Sequence, residues 1–106
     1  MAKNALEMAA FRAFHPGELL KDEIEYRGIK QRDFADAIGV SPTVVNEILN
    51  GKRGISAEFA LMAEAALGVS ADMLVRMQSD YNLEQTRSNP SLLERIRSIQ
   101  KVASVL

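Results

Sequence analysis

Residues 41–53 read SPTVVNEILNGKR, and most polar side chains in this stretch suit hydrogen bonding or charge pairing with a nucleic acid. Thr43 and Asn46 carry groups that can exchange hydrogen bonds with base edges, and Val44 can touch a thymine methyl. Glu47 can accept from a cytosine amine, or repel DNA held in the wrong register. Asn50 extends the same polar side, and Ser41 stands at its start. Lys52 and Arg53 follow at once, two positive charges suited to the phosphate backbone. Upstream, Gln31 is placed to meet a phosphate through its side chain and the unpaired N–H groups of a helix start, and Arg32 adds a charge beside it.

Other chemistries find no such assembly. His15 is the only histidine and cysteine is absent, so no metal cluster or thiol nucleophile can be built. His15 reads as a cap or a packing residue at the start of the first helix. Glu18, Asp22, Glu23 and Glu25, offset in part by Lys21 and Arg27, read as a solvated helix face. The segment NGKRG fails as a phosphate loop, because Asn46 and Arg53 occupy places where Gly and Ser or Thr are required. Met62, Met73 and Met77 read as gap-filling core residues. No enzyme, cofactor or metal site is expected.

The elements that must position these residues are marked by proline and glycine. His15-Pro16, Ser41-Pro42 and Asn89-Pro90 read as helix N-termini, with Ser41 and Asn89 as capping residues. Further starts fall near Lys30-Gln31, Ser56 and Ser70, while glycines 28, 39, 51 and 68 sit just past helix ends. The result is an all-α fold of five to six helices, at about 16–27, 31–38, 42–49, 57–67, 71–86 and 90–104, with no strand pattern. Apolar residues recur at helical spacing: Leu20 and Ile24; Phe34, Ala35 and Ile38; Val45, Ile48 and Leu49; Phe59, Met62, Ala63 and Leu67.

Helices at 31–38 and 42–49 are joined by a tight turn. Ala35 is small where two helices must approach, Gly39 supplies a positive φ, and Val45 and Ile48 return to the core. That arrangement is a helix-turn-helix. Its second helix must then show Thr43, Val44, Asn46, Glu47 and Asn50 on the opposite face, where a recognition helix meets base edges. Any one of these residues alone reads as ordinary surface; the conjunction favours DNA.

At 106 residues with a net charge of −1, the chain is one domain that cannot coat nucleic acid by charge alone. Residues 29–54 carry a net +1 and residues 55–87 a net −3, so positive charge brackets the outward helix. Residues 1–13 read as a flexible or partly helical arm, 14–87 as the DNA-binding domain and 88–106 as a C-terminal helix. In that last segment Leu92, Ile96, Ile99, Ala103 and Leu106 recur in steps of four and three, an apolar stripe suited to a dimer or partner contact. No segment could span a bilayer, and the missing cysteines suit a cytoplasmic protein.

From HPGELL (15–20) through residues 28–86 the sequence resembles the Xre-type, lambda-repressor-like helix-turn-helix proteins, and within them the HigA (VapI-like) branch of antitoxins. The most specific pieces are HPGE, NGKRGIS and Gln78-x-x-Tyr81-Asn82-Leu83. Leu74 stands where the family usually has Trp, and Asn82 where it has Asp. The resemblance implies a homodimer that binds a palindromic operator in double-stranded DNA and represses its own operon. It also implies neutralisation of a HigB/RelE-like ribonuclease toxin. Two alternatives are a stand-alone Xre regulator without a toxin, and a protein-interaction module that has lost DNA binding.

Overall fold

Proline and glycine divide the chain where the sequence suggests. In a computed structural model that describes residues 13–106, the helices are α1 (Pro16–Tyr26), α2 (Gln31–Ile38), α3 (Pro42–Leu49), α4 (Ala57–Leu67), α5 (Ala71–Arg87) and α6 (Pro90–Ala103). No strand occurs among the described residues. The expected N-terminal arm lies outside them apart from Ala13.

Side chains close most of the helix starts. His15 Nδ1 accepts from the Gly17 N–H at 2.9 Å, Ser56 from Phe59 at 3.1 Å and Ser70 from Met73 at 3.2 Å. Asn89 takes two donors, Ser91 and Leu92, as a capping residue before Pro90 should. Ser41 departs from expectation: it stands at the cap position of α3 but makes no side-chain capping bond. All four expected glycines, 28, 39, 51 and 68, lie at positive φ just past helix ends.

The core is a single cluster. Leu20 and Ile24 of α1 meet Phe34 and Ala35 of α2, Val45, Ile48 and Leu49 of α3, and Phe59, Ala60, Ala63 and Leu67 of α4. Ala71 and Leu74 of α5, with Ile55, complete it. Each fully buried aliphatic side chain contributes about 1.5–3 kcal/mol. Phe34 and Phe59 add an edge-to-face contact with ring centroids 6.4 Å apart. Ile38 and Met62 lie only half-buried at the margin. Met73 corrects the expectation of a core methionine: it is 39% exposed, because Leu74 takes the inward position one residue later.

Two contacts outside the apolar cluster fix α1. Gly17 sits so close to α3 that its Cα faces the Ile48 carbonyl with no room for a side chain. Arg27, just past the end of α1, pairs with Glu23 at 2.7 Å and donates to the Leu67 carbonyl at 2.8 Å, tying α1 to the end of α4. By contrast, α6 packs chiefly on α5 and buries none of its residues.

Candidate nucleic-acid interface

The corner between α2 and α3 is closed by main-chain bonds. Gly39, at φ 69° and ψ 31°, turns the chain so that its N–H reaches the Asp36 carbonyl and the Val40 N–H reaches Ala35. This paired closure satisfies two carbonyls that the end of α2 would otherwise leave open. Ala35 is fully buried at the approach of the two helices, and Val40 packs on the core beside the turn. With Val45, Ile48 and Leu49 buried, α3 cannot rotate about its axis, and its other side is held outward.

On that outward side Thr43 and Asn46 are exposed. Asn46 Nδ2 donates to Gln31 Oε1 at 3.1 Å, joining the middle of α3 to the start of α2 across the corner. The pair leaves Asn46 Oδ1 and Gln31 Nε2 as an adjacent acceptor and donor, the combination an adenine edge requires. Glu47 is half-buried and receives Arg53 twice on Oε2, from Nε at 3.0 Å and from Nη2 at 2.9 Å. An exposed pair of this kind adds little stability. Its consequence is geometric, since it aims the guanidinium along the end of α3. Ser41, Arg32 and Lys52 are exposed around the same surface.

Two residues expected on the outward face sit elsewhere. Val44 is half-buried and packs against the core, one helical step from Val45. Asn50 turns towards α1: its Nδ2 donates to the Asn46 carbonyl at 2.9 Å, and its Oδ1 accepts from Lys21 Nζ at 3.4 Å. The structure therefore brings together Gln31, Thr43, Asn46, Glu47 and Arg53, with Lys52 beside them, and sets Val44 and Asn50 at the edges.

A family model described as a helix-turn-helix matches residues 20–74. Virulence-associated protein I of Dichelobacter nodosus is 36% identical over 78 residues, which is 73% of this chain and 72% of that relative. The chain belongs to the Xre-type helix-turn-helix family. Within the family it falls in the HigA branch. The antitoxin HigA of Pseudomonas aeruginosa, solved with the higBA promoter, is 35% identical, covers 79% of this chain and 94% of its own, and superposes with a TM-score of 0.70. An addiction module antidote protein of a HigA family from Coxiella burnetii is 26% identical over 86% of this chain and 95% of its own, with a TM-score of 0.68. As a HigA-branch protein the chain is not an enzyme. Among the described residues no helix is long and apolar enough to cross a membrane.

In this HigA-branch chain the three most specific sequence pieces meet at one buried junction that reading along the sequence did not reveal. The His15 ring, 3% exposed, lies against Gly51 and meets Tyr81 edge-on at 5.0 Å. Gln78, one helical turn before Tyr81 on α5, accepts from the Ile55 N–H. HPGE and Gln78-x-x-Tyr81-Asn82 thus support the NGKRGIS loop from behind, and neither forms the outward face of α3.

Burial lowers the His15 pKa below 6.5, against opposing effects from the Arg53 main chain and Glu18, which favour the protonated ring. Protonation at Nδ1 also removes the acceptor that caps α1. The unfolded chain therefore binds the proton more readily than the folded one. Stability is unaffected above the unfolded pKa, falls as pH drops below about 6.5, and stops falling from this source beneath the folded pKa. Thermal melts between pH 7.5 and about 5 are expected to show this decline. His15→Asn, which can still cap, is expected to flatten it.

Proposed function

We propose that this chain is a dimeric, sequence-specific repressor of antitoxin type that inserts α3 into the major groove of its operator. The observation that carries the reading is the outward face of α3, held on a rigid two-helix corner with Thr43 and Asn46 exposed and Lys52 and Arg53 at its far end. Asn46, steadied by Gln31, reads a base edge, and Thr43 meets a base or sugar nearer the start of the helix. Lys52, Arg53 and Arg32 meet phosphates on either flank, Ser41 adds a hydroxyl at the turn, and Val44 and Asn50 contribute only at the margins. Glu47 holds Arg53 and excludes DNA from wrong registers.

Two copies are needed. A net charge of −1 gives little nonspecific attraction, so affinity comes from joining two reading heads roughly 34 Å apart on a palindromic operator. The apolar stripe of α6, with Leu92 and Ile96 half-buried and Ile99 and Ala103 exposed, supplies the contact between subunits. The helix ends at Ala103, so Leu106 extends this patch from the final turn and not from the helix itself. Neutralisation of a RelE-like ribonuclease toxin completes the proposal, supported by relatives described as an antitoxin and as an antidote protein. Co-purification with the product of an adjacent reading frame tests that part.

The DNA-reading part is tested by titrating labelled duplexes. Asn46→Ala is expected to reduce discrimination between a selected duplex and its single-base variants by about 1–3 kcal/mol. Lys52→Ala is expected to weaken binding to all duplexes and to reduce the salt slope by about 1. Equal loss on selected and random DNA for both variants contradicts the assigned roles.

A further inference from the structure

We propose that Gln78 is a positioning residue for DNA binding, acting through the loop at 50–55 that carries Lys52 and Arg53. The inference rests on the reading above, in which those two cations meet phosphates. Gln78 is 7% exposed and belongs to α5, which forms no part of the outward surface of α3. Its Oε1 accepts from the buried Ile55 N–H at 2.8 Å, and its Nε2 donates to Asn82 Oδ1 at 2.9 Å. The first bond assigns the second: the Ile55 N–H can only donate, so the Gln78 oxygen must face it, and Nε2 is left to donate to Asn82.

An unpaired buried N–H is costly, so the loop has one depth at which Ile55 is satisfied. Gly54 brings the chain onto the same amide; a Cβ there would stand 3.4 Å from Gln78 Cδ. The near end of the loop is fixed as well. Gly51 rests on the His15 ring, the Lys52 N–H reaches the Glu47 carbonyl at 2.8 Å, and Arg53 is paired with the Glu47 carboxylate. Lys52 and Arg53 are therefore strung between a support on α3 and a support on α5. Release of the α5 support lets the loop drift, so that one of the two cations no longer reaches its phosphate, which weakens binding without altering which bases α3 reads.

The test is fluorescence-anisotropy titration at a series of salt concentrations, using a random-sequence duplex and a duplex enriched from a randomised pool by the wild-type protein. Gln78→Met keeps the volume and removes the acceptor; Gln78→Glu keeps an acceptor for Ile55. Gln78→Met is expected to weaken binding to both duplexes about five- to tenfold and to reduce the salt slope by about 1, with the ratio between the duplexes unchanged. Gln78→Glu is expected to restore the wild-type slope. A lower melting temperature with an unchanged slope in Gln78→Met overturns the proposal, because a purely structural role moves stability alone. Should Gln78→Met fail to fold, Asn82→Leu, at an exposed position, is expected to reduce the slope in the same direction, and an unchanged slope there overturns it equally. Lys52→Ala separates the two levels. A flattened slope in Lys52→Ala beside a wild-type slope in Gln78→Met sinks this inference alone, whereas a wild-type slope in Lys52→Ala sinks the phosphate reading beneath it.

Discussion

Gly17→Ala is expected to lower stability by about 3 kcal/mol, the upper end of what one added methyl costs in a packed interior. The added carbon would overlap the Ile48 carbonyl oxygen and lie 2.8 Å from the carbonyl carbon and 2.9 Å from His15 Nδ1. Side chains in most cores yield to an extra methyl by changing rotamer. Here the obstacle is main chain, so α1 must move away from α3 or α3 must bend. Both responses are expensive, because the Ile48 carbonyl also receives the Gly51 N–H at 3.0 Å and so anchors the loop that follows. For a domain of this size the loss corresponds to a fall of about 15 °C in melting temperature. Gly54→Ala serves as the control, since its methyl would meet only the Gln78 side-chain amide, at 3.4 Å. A Gly17→Ala melting temperature close to wild type would show that the α1–α3 contact is looser than described.

Ile99→Glu is expected to convert the proposed dimer to a monomer and to lower affinity for a two-half-site duplex by about 100-fold or more, while leaving the protomer folded. Ile99 is 61% exposed within one chain, so the charge meets water in the monomer and disturbs no packing there. In the proposed assembly it would be buried against an apolar neighbour, where an unpaired carboxylate is strongly disfavoured. Affinity falls steeply because the second reading head binds from an effective concentration set by its tether to the first, and that advantage vanishes once the subunits separate. Light scattering on a sizing column and circular dichroism check the two halves of the expectation. A variant that keeps the wild-type mass places the subunit contact away from α6.

The contrast between these sites shows what the sequence made legible. Helix starts and stops were readable because prolines 16, 42 and 90 and glycines 28, 39, 51 and 68 act through their own backbone geometry, which neighbours rarely override. The inward faces of α1 to α4 were readable because helical periodicity is a local signal: Val45, Ile48 and Leu49 are buried as the spacing requires. Val44 is half-buried and Asn50, though exposed, turns its side chain towards α1, because each sits at the edge of the polar arc of α3. There a wheel assigns sides poorly, and the neighbouring helix decides. Ser41 has the residue type and position of a cap but makes no capping bond, and nothing in the structure explains the difference from Asn89 before Pro90.

The junction of His15, Gly51, Ile55, Gln78 and Tyr81 was invisible for a different reason. Its members come from three segments separated by more than twenty residues, and no periodicity links a histidine before α1 to an amide in the middle of α5. The signal available was the specificity of the family pieces themselves. Residues that a family marks strongly need not touch its ligand: His15, Gln78 and Tyr81 hold the NGKRGIS loop, whose Lys52 and Arg53 do so in the proposed complex.

Hydroxyl-radical footprinting of the protein on a duplex selected from a randomised pool tests most directly whether two copies of α3 read one face of DNA. The account predicts two protected blocks centred about one helical turn apart, lying on the same side of the duplex and related by a two-fold axis. A single block, or two blocks on opposite sides, would contradict it.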